Sequence, residues 1–368
     1  MDYHILLTEN CNLKCRYCYG KSWEENPDCL KGKFEFDFTE PEDSEVVLSK
    51  LKSFLNKDKN PVLIFYGGEP LMKIKKIKKI MDSINVPFRM QTNGVLLDKL
   101  EPKYLNRIDK ILVSIDGNKE RTELNRGKGT FEKVMQNIQL IKKNGYSGEL
   151  IARMTIAQDC PDVFEQVLNL VELGFTSVHW QLDSGFYSYD FESKKIKTFF
   201  EKYNKSVKKL IDWWIAEIKK GKVWKFYPFI GIVESLLKNE KTKLRCGAGH
   251  SGYAITTSGK VVACPIMNCI KDFECGNLDS NPRELKKVDI GGRCLNCDYR
   301  GLCGGRCLYW NKSKLWPEEG DDLICESIKF LIDELKSKEN EIRQTIDKKI
   351  ISFVDFEYEK YFGPEIIP

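Results

Sequence analysis

The sequence predicts an α/β fold built on a parallel sheet, a barrel either closed or left open. Two observations carry this expectation. Short, almost continuously apolar runs alternate with amphipathic stretches through the first two thirds of the 368 residues, the pattern of strands covered on both faces by helices. Successive strands also run into polar or glycine-rich clusters, and such barrels collect their chemistry at the C-terminal ends of the strands.

The first strand is YHILLT (3–8), followed by TENCNLKC. VLIFY (62–66) runs into GGEP, FRMQT (88–92) into TNG, and ILVSI (111–115) into DG. LIARMTI (150–156) and SVHWQL (177–182) complete six strands. Amphipathic stretches at 43–56, 72–83, 130–144 and 161–173 supply intervening helices, and a long helical region follows at about 193–220. From Cys246 to Cys325 the chain changes to cysteine, glycine and short runs; the tail begins as a helix and ends aromatic and acidic. Four regions follow: 1–225, a helical bridge at 226–245, a cysteine-rich domain at 246–325, and a helical tail at 326–368.

A content of 42% hydrophobic and 31% charged residues is ordinary for a globular chain. Fifty-nine basic against 54 acidic residues leave a net charge of +5, too weak to require a nucleic-acid partner. The lysine run KIKKIKKI (73–80) reads as the wet face of a helix. No apolar window is long enough for a transmembrane helix, and no secretory signal opens the chain, so a cytoplasmic protein without a membrane partner is expected. Fourteen cysteines in a reducing compartment point to metal binding rather than to disulfides.

Three of these cysteines have the spacing Cys11-x3-Cys15-x2-Cys18, with Tyr17 between the last two. A structural zinc site wants four ligands, and His4 lies on the preceding strand rather than in the loop. Three thiolates suit a [4Fe–4S] cluster with one iron left open; a zinc knuckle or three unrelated thiols are the alternatives. In YGGEP (66–70) two glycines allow close backbone approach, and Glu69 can accept from an ammonium group.

On these two motifs, residues 1–225 resemble the radical S-adenosylmethionine (SAM) superfamily. The resemblance implies a partial (β/α)6 TIM-like barrel. It also implies an open iron bound by the amino and carboxylate groups of SAM, and reductive cleavage to a 5′-deoxyadenosyl radical that abstracts a hydrogen atom. An external one-electron reductant of ferredoxin or flavodoxin type is the implied partner. By the same resemblance Gly67, Gly68 and Glu69 hold the methionyl ammonium, and Tyr17 stands beside the cluster. Ser114 and Asp116 of SIDG lie in the ribose-contacting region, Arg153 of ARMT faces the SAM carboxylate, and Asn93 of TNG is a further contact. Read without the resemblance, Ser114 is a solvated strand end and Arg153 a surface ion pair.

The second cysteine region holds Cys246, Cys264, Cys294, Cys297, Cys303, Cys307 and Cys325, with a single Cys-x2-Cys pair. A zinc ribbon needs two such pairs, so two auxiliary [4Fe–4S] clusters account better for the number. Residues 246–325 resemble the SPASM domain, which is appended to radical SAM enzymes that modify peptides and proteins. The resemblance assigns Cys294, Cys297, Cys303 and Cys325 to an outer cluster and Cys246, Cys264 and Cys307 to an inner one. Cys275 is the preferred fourth inner ligand, with Cys269 or an open iron as alternatives. Cys29 and Cys160 read as small buried hydrophobes.

A radical enzyme with three [4Fe–4S] clusters acting on a peptide or protein side chain is therefore expected. Sulfatase-maturing relatives carry an aspartate directly after the second SPASM cysteine; Pro265 stands there, which disfavours that reaction. The first strand starts by Tyr3, leaving no room ahead of it for a leader-binding domain, so recognition is assigned to the barrel mouth, the 184–245 region, the tail or a separate protein. HWQLDSGFYSYDF (179–191) is a candidate substrate wall or barrel packing, and within it Asp183, Tyr187 and Tyr189 are candidates for a base or radical relay. The rival readings are a cofactor- or small-molecule-maturing SPASM enzyme and a non-catalytic iron–sulfur carrier or zinc scaffold. The intact GGEP argues against the last of these.

Overall fold

The computed structural model describes residues 1–18, 30, 32–361 and 367–368. Cys29, with Tyr19 and Gly20 behind the first cysteine motif, lies outside the described residues. The chain divides into two units, Met1–Ala152 with Gly247–Asp289, and Arg153–Cys246 with Ile290–Pro368. These units cut across the motif boundaries, because the middle of the cysteine-rich region joins the N-terminal strands.

In the first unit β1 (Asp2–Leu6), β2 (Val62–Tyr66), β3 (Phe88–Thr92) and β4 (Ile108–Ser114) pair in parallel in that order. β5 (Glu149–Ile156) begins here. The crossovers carry α1 (Leu48–Asn56), α2 (Ile74–Ser83), α3 (Lys119–Arg126) and α4 (Thr130–Lys143). Leu63, Ile64 and Phe65 are all buried, so both faces of β2 are covered and its run is apolar throughout. On α2 the isoleucines Ile77 and Ile80 are buried while Lys75 and Lys79 are exposed, so the lysine run is a solvated face.

Three further strands come from the cysteine-rich region: β8 (Gly252–Ile255), β9 (Lys260–Val262) and β10 (Glu274–Asn277). β8 pairs in parallel with the free side of β1, Tyr3 opposite Tyr253. β9 and β10 follow antiparallel. Within this unit the order is β10-β9-β8-β1-β2-β3-β4, which makes β1 an interior strand. A buried ion pair crosses it, from Arg89 on β3 to Asp2 on β1 at 3.1 Å.

The second unit holds the end of β5, then β6 (Ser177–Leu182) and β7 (Lys225–Phe226), parallel to β6. Every residue of β6 is buried. α5 (Phe164–Glu172), α6 (Ser193–Lys219) and α7 (Tyr227–Lys238) surround these strands in sequence. α8 (Leu308–Ser313), α9 (Glu318–Ser337) and α10 (Glu339–Asp347) complete the unit. α6 and α9 are joined by a 2.6 Å hydrogen bond from Ser327 Oγ to Asn204 Oδ1 and by an ion pair of Lys208 with Glu334. No helix among the described residues is long and apolar enough to cross a membrane.

The Arg89–Asp2 pair is expected to be worth most when one partner is removed, since the remaining charge stays in a low-dielectric place. Arg89→Leu is expected to lower unfolding stability by about 3 kcal/mol in urea titration, whereas a change below about 0.5 kcal/mol, the range of a neutral surface substitution, would show that the pair is dispensable.

Candidate active site

The first cysteine loop starts where β1 ends. Thr8 is fully buried, and its hydroxyl donates to Asp43 Oδ1 at 2.7 Å while accepting from Asn10 N at 3.2 Å. β2 ends on Gly67 and Gly68, whose backbone lies directly against this exit. A Cβ at Gly67 would stand 2.4 Å from Thr8 O, and one at Gly68 2.2 Å from Asn10 O. Gly67 also has φ +142°, a region that favours glycine. Gly68 N donates to Thr8 O and Glu69 N to Asn10 O, each at 2.8 Å. GGEP is thereby hydrogen-bonded to the residue immediately before Cys11.

Glu69 is 1% exposed. Its Oε1 accepts from Leu71 N at 3.0 Å and Thr92 Oγ1 at 2.8 Å, and its Oε2 from Asn93 N at 2.7 Å. Burial raises the Glu69 pKa to about 7, against the pull of these three donors. Asn93, at the end of β3, donates to Asn12 Oδ1 at 2.7 Å and approaches Cys11 Sγ at 3.7 Å.

Within the loop, Cys18 N donates to Cys15 O at 3.2 Å and Leu13 N to Cys11 Sγ at 3.4 Å. Cys11 is exposed; Cys15 and Cys18 are half-buried. Although the residue as a whole is exposed, partial desolvation of its sulfur pushes the Cys11 thiol up, with Leu13 N and the Asn93 amide opposing it. Burial pushes Cys15 up as well, opposed by the Arg126 cation. The three thiols lie within electrostatic reach of one another, and three soft donors on one short loop fit an iron–sulfur cluster. Tyr17 is buried, and its hydroxyl donates to Asp116. Ser114 is the half-buried last residue of β4.

In the second unit Cys294, Cys297, Cys303 and Cys325 line one pocket of about 390 Å³, counting space open to solvent. Tyr299, Arg300, Arg306 and Trp310 complete much of the wall. Asn311 Nδ2 reaches Cys294 Sγ and Arg293 Nη2 reaches Cys325 Sγ, each at 3.4 Å. Burial raises the Cys303 thiol to about 11. Four thiols lining one pocket suit an iron–sulfur cluster.

The remaining predicted residues are distributed between the units. Cys246 and Cys307 belong to the second unit, Cys264, Cys269 and Cys275 to the first. Cys275 is buried on β10, where its thiol donates to Phe273 O at 3.3 Å, and burial lifts it to about 12. Cys269 is buried and likewise raised to about 12. Cys160 is half-buried. Arg153 Nη2 donates to Gln181 Oε1 at 3.0 Å. Asp183 N donates to Ile156 O at 2.9 Å. Tyr187 is buried while Tyr189 is 64% exposed, their ring centroids 5.4 Å apart. Sequence reasoning passed over Asp190 in this same segment. Its Oδ1 accepts from Trp316 Nε1 at 2.6 Å and its Oδ2 from Gln158 Nε2 at 2.8 Å, and burial lifts it to about 6. The signal available was an acidic residue inside an aromatic run.

Residues 5–171 match the family model of the Radical SAM superfamily. The chain is 25% identical over 365 residues to the cysteine-type anaerobic sulfatase-maturating enzyme of Clostridium perfringens, covering 88% of this chain and 92% of that one. It is 24% identical over 381 residues to the radical SAM cyclopropyl synthase TigE of Paramaledivibacter caminithermalis, covering 94% and 76%. The solved structure of native anSMEcpe with bound AdoMet and Cp18Cys peptide matches with a TM-score of 0.69 at 22% identity, over 93% of this chain and 99% of that one. The α/β partial-barrel fold is therefore shared with that structure.

Gly68→Ala is expected to lose about 2 kcal/mol of stability, read as a lower melting temperature, because the new methyl meets backbone rather than a movable side chain; an unchanged melting curve would mean that the two strand ends need no such approach. The three-thiol loop at the exit of β1 and the GGEP bonded against it both fall within residues 5–171, the part of the chain that matches the Radical SAM superfamily model.

Proposed function

We propose that this protein is a radical SAM enzyme with a SPASM region that modifies a side chain of a peptide or protein. The observation that carries the reading is the pocket lined by Cys294, Cys297, Cys303 and Cys325, a second thiol site beyond the one needed to bind SAM. The relative from Clostridium perfringens matures a sulfatase, and the anSMEcpe structure holds a peptide, which supports the substrate class.

Cys11, Cys15 and Cys18 would hold the SAM-binding [4Fe–4S] cluster as thiolates. Cys294, Cys297, Cys303 and Cys325 would hold the outer auxiliary cluster, and Cys246, Cys264 and Cys307 the inner one. Cys275, as fourth inner ligand, would give up its bond to Phe273 O. When bound, cluster and SAM together supply one-electron cleavage and a hydrogen-abstracting 5′-deoxyadenosyl radical. The chain's own residues do the rest. Raised thiols must lose protons to bind iron, so cluster assembly releases protons and is favoured at higher pH. Glu69, buried among neutral donors, accepts the methionyl ammonium beside Gly67 and Gly68. Ser114, Asn93 and Arg153 would complete the SAM contacts, Arg153 toward the carboxylate.

Asp183 would accept a proton during turnover, and Asp190, with a pKa near 6, is ionised at neutral pH in the same segment. Pro265 has no side-chain acceptor, which directs the reading to a modification other than sulfatase maturation. The electron would come from a ferredoxin- or flavodoxin-type carrier in the cytoplasm.

Anaerobically reconstituted protein is expected to bind about twelve irons, four for each of three clusters, and to cleave SAM to 5′-deoxyadenosine after dithionite reduction. Cys303→Ser should lose about four irons, and Cys15→Ala should abolish cleavage. Mass spectrometry of candidate peptides is expected to show a mass change, with a sulfatase-derived cysteine peptide unaltered; its conversion would return the protein to its relatives' reaction. Zinc in place of iron in oxygen-free preparations would refute the enzyme reading.

A buried carboxylate titrating near 7 is mostly protonated at pH 6 and mostly ionised at pH 8. SAM affinity is thus expected to rise about tenfold between those values. Equilibrium dialysis tests this, and Glu69→Gln should bind weakly with no such slope.

A further inference from the structure

Asp116, in the turn after β4, is completely buried. Its Oδ2 accepts from Arg126 Nε at 2.9 Å, from Asn125 Nδ2 at 3.1 Å and from the Tyr17 hydroxyl; its Oδ1 accepts from Arg126 Nη2 at 2.9 Å. A carboxylate offers about four acceptor sites, and four donors already occupy this one. A ribose hydroxyl would have to displace one of them.

The other ends of these bonds lie in the cysteine loop and on α3. Arg126 and Asn125 are the last two residues of α3. Asn125 O accepts from Arg16 N at 3.0 Å, so Asn125 holds the loop with its backbone and Asp116 with its side chain. The Arg126 guanidinium carbon stands 5.4 Å from the Tyr17 ring centroid. Asp116 N donates to Thr122 Oγ1 at 3.1 Å, again on α3. Arg16 and Tyr17 are the two residues between Cys15 and Cys18; Tyr17 bonds to Asp116 itself, and Arg16 N to the backbone of Asn125, whose side chain bonds to Asp116.

We propose that the Asp116–Arg126 pair is a positioning device for the radical-generating loop rather than a ribose contact: it fixes Tyr17 directly and, through Asn125, the backbone at Arg16, hence the spacing of Cys15 and Cys18. This rests on the reading of Cys11, Cys15 and Cys18 as cluster ligands. The bidentate fork supplies direction as well as charge.

Three variants separate the two roles in the full-length, anaerobically reconstituted protein. Tyr17→Phe removes one hydroxyl and keeps the ring, Arg126→Lys keeps the charge and loses the fork, and Asp116→Asn keeps the shape and loses the charge. The readout is the electron paramagnetic resonance (EPR) signal of the reduced protein without SAM and with it, since only the N-terminal cluster responds to SAM. The expected result is an altered SAM-responsive component in all three variants, already before SAM is added. That component should also be lost several-fold faster to an iron chelator. If the SAM-free signal and its chelator resistance match wild type in all three, while Asp116→Asn alone weakens SAM binding, Asp116 is a ribose ligand and the proposal is overturned. If Arg126→Lys or Asp116→Asn fails to fold, Tyr17→Phe alone decides. A wild-type protein with no SAM-responsive signal would instead remove the cluster reading itself, and this proposal with it.

Discussion

The site depends on a backbone contact that only glycine permits. The exit of β2 lies so close to the exit of β1 that a methyl group at Gly67 or Gly68 would fall inside the van der Waals envelope of Thr8 O or Asn10 O. Without side chains, the two strand ends share two hydrogen bonds. That contact delivers Glu69 under the cysteine loop, and Glu69 in turn collects the end of β3 through Thr92 and Asn93. Three consecutive strand ends thus meet around one carboxylate. The cost of such packing is that neither glycine tolerates a substituent.

Two buried carboxylates near the loop have opposite surroundings. Asp116 has a guanidinium bound at two points and is electrostatically complete. Among the described residues Glu69 has three neutral donors and no cation as hydrogen-bond partners, and burial outweighs them, leaving it near 7. A desolvated carboxylate without a counter-ion favours whatever brings one, and on the proposed reading the methionyl ammonium does. On the proposed readings the satisfied Asp116 serves the scaffold and Glu69 serves the ligand.

Much of the architecture was legible from the residues. Each of the six expected strands is present within a few residues of its expected ends, because strands buried on both faces announce themselves as short apolar runs. The long helix expected at 193–220 is α6. β8, β9 and β10 were not anticipated. They are three or four residues long and sit among cysteines and glycines, where no run is long enough to stand out. One hint was present in TTSG, where Gly259 with φ +97° closes a hairpin turn. The pairing of β8 with β1 had no local signal, since the partners lie at opposite ends of the first unit's sequence.

The chemistry of the donors was also readable: thiols at cluster spacing, glycines before an acid, an aromatic inside the motif. Such features are local, because spacing and residue type need no knowledge of distant neighbours. What the folded chain alone decided was who stands beside each buried charge. The resemblance assigns Asp116 to the ribose-contacting region, but it could not show that Arg126, Asn125 and Tyr17 bond to it. Asp190 looked no different from Asp183, yet Trp316 and Gln158 enclose it. Burial and pairing set the free energy of a charge, and both arise from residues brought together by folding rather than by adjacency in the chain.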